Sequence, residues 1–288
     1  MIIDSHAHYV HRLYEGEFPY LNWAEGEFFA ESGDRNRLFT AMKAQGIVLC
    51  IEPATALEKI EAQLAVADAH WPYLRMAVGV HPKHCADTAW EDRHQLPLLA
   101  QRADAVAIGE TGLDYSVPPE ALDKECQKKW FSYQLQLAQE MQLPLILHIR
   151  DAYDDALAML QQHAPLRCGG GAHCFSGDLE RAMACVELGF ALGIGGRVLQ
   201  DEQLQQTVRY APLSSILVET DAPYIRPDIR HLPGSGKQRK KIRNSSLILR
   251  AVIEKIAQLK ALPAAEVEAA IYQNTLRVFR LEQPAGTE

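Results

Sequence analysis

The chain has 288 residues, of which 48% are hydrophobic and 23% charged, so it can form a large core and is not a disordered protein. Its formal net charge of −8 argues against a general nucleic-acid coat protein, because such proteins carry a basic footprint. The amino terminus has no basic region before a long apolar stretch, and no 18 apolar residues run uninterrupted, so we expect neither export nor a membrane span.

Short apolar, β-branched segments recur along the chain and are typical of strands buried on both faces. There are eight of them, at residues 1–4, 47–52, 75–81, 105–110, 144–149, 170–175, 190–196 and 215–221. The segments between them show helical periodicity, as in residues 34–46, 56–70, 128–142, 151–163 and 178–189. Asp34 and Asp178 are placed to cap helix starts, and Gly46 and Gly189 lie where helix ends favour a left-handed residue.

This alternation of strands and helices predicts parallel strands, and eight such units predict closure into a (β/α)₈ TIM barrel. We therefore expect an α/β fold with a single domain over residues 1–288 and one additional C-terminal helix over residues 263–279. A doubly wound open sheet is the alternative. It usually has fewer strands and often carries a phosphate-binding loop, a motif that this sequence does not contain.

Side chains that bind metals lie at the carboxyl ends of five predicted strands. They are His6, His8, Glu110, His148, His173 and Asp221. Active sites of barrels assemble at these ends, so the six side chains should converge on one mouth. Four imidazoles and two carboxylates are too many polar groups for a dry core, but they suit a pair of divalent metals that activates a water. Hydrolysis is the expected chemistry.

Other polar residues are assigned lesser roles. Asp4 shares the face of His6 and His8 but lies deeper, which fits a buried orienting group as well as a ligand. His81 ends the third strand and could either contact substrate or support the ligands. Supporting roles for Glu52 and Glu219 stay open. Three histidines in helical segments are expected to serve the fold, namely His70, His94 and His163.

Eight short motifs, in this order along nearly the whole chain, carry a resemblance to a known family. They are DSHAH, GVHP, IGETGLDY, LPLILHIRDA, HCFSG, GIGG, ETDAPY and NTLRVF. In them the chain resembles the TatD family of metal-dependent hydrolases, within the amidohydrolase-like barrels. The resemblance implies that His6, His8, Glu110 and Asp221 surround one metal. It also implies that Glu110 bridges to a second metal held by His148 and His173.

The resemblance further implies phosphodiester hydrolysis, as a deoxyribonuclease, with zinc, magnesium or manganese, and the mixed ligands do not select one metal. In our hypothesis the two metals lower the pKa of a shared water, and Asp221 orients it or takes its proton. Asp221 and Glu110 are thus the predicted catalytic residues. The expected substrate is DNA or a small phosphodiester, without an obligate protein partner.

Recognition of phosphate needs further donors, and we predict His81, Arg150 and Arg226 for this role. The loop after the eighth strand, residues 230–243, also contains five basic residues within seven positions, Lys237, Arg239, Lys240, Lys241 and Arg243. It could bind a polyanion or be a solvated loop. The loop ends in RNSS at residues 243–246, where the family tends to have Arg-Asn-Glu-Pro.

The segment after the first strand, residues 10–34, is long and rich in acidic and aromatic residues. We expect it to lie over the active mouth, where its aromatic rings could form a lid or stack on a base and its acids would repel a polynucleotide. A small-molecule amidase or lactonase on the same barrel is therefore the alternative function, and a non-catalytic metal-binding protein is a third. Six scattered cysteines without CxxC pairs are typical of reduced thiols and predict a cytoplasmic location.

Overall fold

A computed structural model describes residues 1–116, 118 and 122–283 of the chain. The strands within these residues are β1 (Ile2–Asp4), β2 (Phe18–Ala24), β3 (Glu27–Gly33), β4 (Ile47–Pro53), β5 (Leu74–Val78), β6 (Ala105–Asp114), β7 (Leu145–Arg150), β8 (Gly170–Ala172), β9 (Phe190–Ile194) and β10 (Ile216–Val218). The helices are α1 (Arg35–Ala44), α2 (Ile60–Ala69), α3 (Gln95–Ala100), α4 (Lys124–Met141), α5 (Tyr153–Gln162), α6 (Leu179–Glu187), α7 (Glu202–Tyr210), α8 (Gly236–Arg239), α9 (Leu249–Lys260) and α10 (Ala264–Phe279).

Eight strands form one parallel sheet in the order β1-β4-β5-β6-β7-β8-β9-β10. The first and last strands also meet, because the Ser5 N–H donates to the Val218 carbonyl at 3.0 Å and Ala7 pairs with Ala222 in a parallel bridge. Just beyond, the Asp221 N–H donates to the His6 carbonyl at 2.9 Å. The sheet is thereby closed, and the predicted α/β barrel is confirmed.

The predicted elements agree with the structure except near the ends of several strands. Asp34 and Asp178 accept hydrogen bonds from the N–H groups of Arg37 and Arg181, as N-caps do, and Gly46 and Gly189 have φ of +79° and +89°. The predicted strands at 170–175 and 215–221 are too long, since β8 ends at Ala172 and β10 at Val218. β6 instead continues four residues beyond the prediction, to Asp114.

The additional C-terminal helix is also confirmed, as α10. Its buried side chains Tyr272, Leu276 and Phe279 pack with Ile3 and Leu217 from β1 and β10 in one apolar cluster. The last helix therefore covers the junction where the barrel closes. No helix among the described residues is long and apolar enough to cross a membrane.

The long segment after β1 contains an antiparallel hairpin of β2 and β3, which the sequence analysis did not predict. Its turn uses Glu25 and Gly26, both with positive φ. Strand β2 is fixed to the loop after β10, because the Arg243 N–H donates to the Pro19 carbonyl and the Leu21 N–H to the Arg243 carbonyl, each at 2.8 Å. Three aromatic rings expected at the mouth are instead buried and unavailable for stacking on a base, namely Tyr14, Phe18 and Tyr20.

Candidate active site

The two histidines after β1 point their Nε2 atoms at one place. The Nε2 atoms of His6 and His8 lie 3.2 Å apart. Asp221 Oδ1 lies 3.6 and 3.3 Å from them, and Glu110 Oε2 lies 3.6 and 3.8 Å from them. The ligand atoms of one tetrahedral zinc ion, with bonds of about 2.0–2.1 Å, would be about 3.3 Å apart. The spacing of these four atoms therefore fits a single divalent ion.

The other oxygen of Glu110 faces a second group of imidazoles. Oε1 lies 2.7 Å from His148 Nδ1, 3.3 Å from His173 Nε2 and 3.6 Å from His81 Nε2. Since its two oxygens face two different clusters, Glu110 has the position of a bridging carboxylate. Within the described part of the chain, three overlapping groups have ligand atoms within 4.8 Å of one another: His6–His173–Asp221, His6–His8–Glu110 and His81–Glu110–His148.

Two buried carboxylates lie behind the imidazoles. Asp114 Oδ2 is 3.0 Å from His148 Nε2, and Glu219 Oε1 is 3.1 Å from His173 Nδ1. Each carboxylate accepts the N–H of its imidazole, so the ring nitrogen that faces Glu110 retains a lone pair. His148 Nδ1 and Glu110 Oε1 are then two acceptors at 2.7 Å, which repel unless a positive charge lies between them. A proton or a divalent cation supplies that charge, and the surrounding set of imidazoles and carboxylates fits a metal.

Electrostatics at the site favour an ionised bridging carboxylate. Burial alone would raise the pKa of Glu110, but the neighbouring His81, His173 and His6 hold it well below its usual range. Burial lowers the pKa of His6 well below its ordinary value, with the neighbouring His173 adding to the effect. The carboxyl is therefore charged and the His6 ring neutral, which is the form of both that binds cations.

Asp4 has its oxygens occupied by the fold. It accepts hydrogen bonds from Thr220 Oγ1 and Ser246 Oγ, both at 2.6 Å, and from the His6 N–H at 3.1 Å. Burial raises its pKa to about 7 in spite of these bonds. These contacts favour the orienting role over the ligand role. Glu52 acts in a similar way, because its Oε2 accepts the N–H groups of Tyr9 and Val10.

The residues predicted to bind phosphate have different surroundings. His81 lies inside the second imidazole group, as described above. Arg150 is exposed at the end of β7 and forms no ion pair with a described residue. Arg226 donates through Nη1 to the carbonyls of Arg239 and Ile242, each at 2.6 Å, so part of its guanidinium holds the basic loop in place. Three other histidines have partners in the surrounding fold, namely His70, His94 and His163.

Asp114 is the site residue that the sequence analysis missed. It lies four residues beyond Glu110 on the same strand, and residues two and four apart in a strand share a face. Applying this spacing beyond the predicted end of β6 would have placed Asp114 next to the predicted ligands. A supporting role for Glu219 was left open, and its contact with His173 now favours that role.

A groove of about 570 Å³ opens beside His8. Its wall carries four basic side chains and one exposed acid: His11, Arg12, Lys59, His84 and Glu15. Arg12 and Lys59 are exposed and form no ion pair with a described carboxylate. At one edge stands Tyr224, 46% exposed, with its ring centroid 6.0 Å from that of His8. A second groove, of about 410 Å³, is also lined by Tyr224, together with Arg226, Lys240 and Arg243.

Comparison with known sequences points to one family. The sequence model described as TatD related DNase matches residues 3–280. The 3'-5' ssDNA/RNA exonuclease TatD of Pantoea sp. (strain At-9b) is 34% identical over 252 residues, which are 86% of this chain and 94% of that protein. The uncharacterized metal-dependent hydrolase YcfH of Escherichia coli (strain K12) is 38% identical over 206 residues, which are 71% of this chain and 73% of that protein.

Comparison with solved structures agrees with the sequence comparison. The crystal structure of YJJV, a TatD homolog from Escherichia coli K12, has a TM-score of 0.82 and 28% identity, and the match covers 98% of both chains. A TatD family hydrolase from Entamoeba histolytica has a TM-score of 0.79 at 22% identity and covers 96% of this chain and 97% of that one, a likeness of fold. Fold and sequence thus indicate the same relatives.

Proposed function

Because the chain belongs to the family of TatD-related DNases and is a metal-dependent hydrolase, we propose that it is an exonuclease. It would hydrolyse phosphodiester bonds of single-stranded DNA or RNA with two divalent metal ions. The observation that carries this proposal is the position of Glu110, whose two oxygens face two separate sets of ligand atoms. Paired metals bridged in this way are a common device for in-line displacement at phosphorus.

The ligands divide between the two ions. His6, His8 and Asp221 would hold one ion together with Glu110 Oε2, and His148 and His173 would hold the other together with Glu110 Oε1. Bound metals supply an activated water and stabilise the charge that develops on phosphate. The mixture of imidazole and carboxylate suits zinc, manganese or magnesium.

Side chains of the protein orient the attacking water and the metal-binding imidazoles. Asp221 Oδ1, 3.3 Å from His8 Nε2, orients the attacking water or accepts its proton. Asp114 and Glu219 keep the rings of His148 and His173 in the tautomers that leave a lone pair towards Glu110. These carboxylates act on the chemistry through the imidazoles and are positioning residues.

The two grooves suit a single strand better than a duplex. Arg12 and Lys59 in one groove, and Lys240 and Arg243 in the other, offer cations to successive phosphates. Tyr224 lines both grooves, and its exposed ring offers a face on which an unpaired base can stack. A cationic track with an aromatic platform is the usual means of binding single-stranded nucleic acid.

The test is a substrate screen on metal-free protein reloaded separately with zinc, manganese or magnesium. End-labelled single-stranded DNA and RNA should be shortened from one end, while Asp221→Asn should abolish cleavage. Asp154→Asn serves as the matched control, since Asp154 is 94% exposed on α5. Near-normal activity of Asp221→Asn would refute the role of this carboxylate. Cleavage of lactones or amides with no cleavage of phosphodiesters would show a small-molecule hydrolase instead.

We also propose that residues 1–288 form a single domain that works in the cytoplasm without an obligate protein partner. The strands of one closed sheet span residues 2–218, and α10 packs on that sheet, which supports one domain. The six cysteines are all free, which supports a reducing compartment.

A further inference from the structure

His81 lies close enough to the second imidazole group to be mistaken for a ligand. It follows β5 and caps a short 3₁₀ helix, Pro82–His84. Its ring is buried, with Nε2 3.2 Å from His148 Nδ1 and 3.6 Å from Glu110 Oε1. By distance alone, His81 would be a fourth protein ligand of the metal that Glu110, His148 and His173 would hold.

The hydrogen bond on the other side of the ring argues against ligation. His81 Nδ1 accepts the backbone N–H of Lys83 at 3.0 Å, as the cap of the 3₁₀ helix. A neutral imidazole has one N–H and one lone pair, so accepting at Nδ1 places the proton on Nε2. A protonated Nε2 cannot bind a metal. His148 and His173 differ, because a carboxylate lies behind each and leaves the inner nitrogen unprotonated.

The Nε2–H of His81 needs an acceptor of its own. Without a metal, its nearest acceptor is His148 Nδ1, but that lone pair is no longer available once His148 binds a cation. Glu110 Oε1 at 3.6 Å is beyond hydrogen-bond range. A buried donor is then directed into the site with no protein acceptor among the described residues.

On the basis of the phosphodiester substrate proposed above, we propose that His81 is not a metal ligand but donates its Nε2–H to a non-bridging oxygen of the scissile phosphate. The oxygen becomes more negative in the transition state, so the bond strengthens as the reaction proceeds. The backbone cap on Nδ1 fixes the direction of the donor before substrate arrives. His81 is therefore a catalytic residue that touches the substrate.

The experiment compares His81→Ala and His81→Gln with His148→Ala, and uses His94→Gln, at an exposed position, as a control. Zinc bound to each metal-free protein is counted by calorimetry and elemental analysis. His81→Ala should bind as many ions as the wild type, whereas His148→Ala should bind one fewer. On labelled single-stranded DNA, His81→Ala should lose about 10²-fold in kcat, the usual effect of removing an oxyanion donor, with KM little changed. His81→Gln keeps an N–H and should recover part of the loss.

Two results would overturn the inference. Loss of a bound ion in both His81 variants, with native circular dichroism, would show that His81 is a ligand. A wild-type kcat in His81→Ala would refute its role as a hydrogen-bond donor to the phosphate. Should His81→Ala fail to fold, His81→Gln decides both points. If the wild-type protein cleaves no phosphodiester at all, the proposed function is refuted, and so is the proposed hydrogen bond from His81 to the phosphate. The ion count of the His81 variants would still decide whether His81 is a ligand.

Discussion

Replacing Asp114 by Asn should weaken metal binding without removing any ligand. The Asp114 side chain is fully buried, and its Oδ1 accepts the Ser116 N–H at 2.9 Å, while Oδ2 faces His148 Nε2 at 3.0 Å and Lys83 Nζ at 3.1 Å. We expect the Asn side chain to keep its oxygen towards Ser116, because an amide NH₂ there would meet the backbone N–H, another donor. Its NH₂ then faces His148 Nε2, which must become the acceptor and move its proton to Nδ1.

That proton would occupy the lone pair of His148 that faces Glu110. Loss of such a supporting carboxylate typically lowers metal affinity 10- to 100-fold, which is about 1.4–2.7 kcal/mol. Lys83 is 41% exposed and can turn into water, so we expect little loss of fold stability. The assay is calorimetric titration of zinc or manganese into the metal-free variant.

The matched control is Asp155→Asn, the same substitution at a partly exposed ion pair with Lys128. It should bind both ions like the wild type. Unchanged affinity for both ions in Asp114→Asn would show that Asp114 does not set the tautomer of His148. That result would refute the reasoning from hydrogen-bond direction to metal-binding atom.

Glu110→Gln should reduce the number of bound ions and abolish turnover, since an amide bridges cations poorly; elemental analysis that still finds two ions would contradict the bridging role. Asn244→Ala should lower the free energy of unfolding by about 1–3 kcal/mol, because the buried Asn244 amide donates to the Thr220 and Tyr224 carbonyls; a denaturant midpoint equal to that of the wild type would refute this. The double variant Arg12→Ala, Lys59→Ala should raise KM for an oligonucleotide and make that KM less dependent on salt, but should leave KM for a small phosphodiester unchanged. An unchanged salt dependence would exclude this groove as the site that binds the phosphates. Removing metals should lower the unfolding temperature, because an ion at 100 times its Kd stabilises the folded state by about 2.7 kcal/mol. A thermal unfolding curve that does not change when a chelator is added would argue against a metal site.

Much of the barrel could be predicted because its strands are buried on both faces and so form continuous apolar runs between helices with clear caps. The ends of β8 and β10 could not, because Cys174 and Asp221 turn the chain through left-handed backbone at positions that are not glycine. The hairpin of β2 and β3 was missed for another reason. Strand β3 is largely exposed, and its apolar and polar residues alternate only weakly, so hydrophobic periodicity does not predict a strand there.

The sequence could bring together six ligand-type residues, because the carboxyl ends of parallel strands meet at one rim. It could not assign roles within that rim. The difference between His81 and His148 depends on which ring nitrogen meets the Lys83 backbone and which meets Asp114, and neither contact follows from spacing alone. Arg226 illustrates the same limit, since its partners are carbonyls of a loop whose path the sequence does not specify.

Closure of the sheet by hydrogen bonds between the first and last strands has a consequence for biosynthesis. The carbonyl of His6 accepts the N–H of Asp221, so the first and last of the predicted metal-binding residues are joined by a backbone hydrogen bond. During translation His6 and His8 leave the ribosome long before Asp221 does. A polypeptide that ends before Asp221 therefore lacks one of the six predicted metal-binding side chains and the backbone contact that closes the sheet beside it.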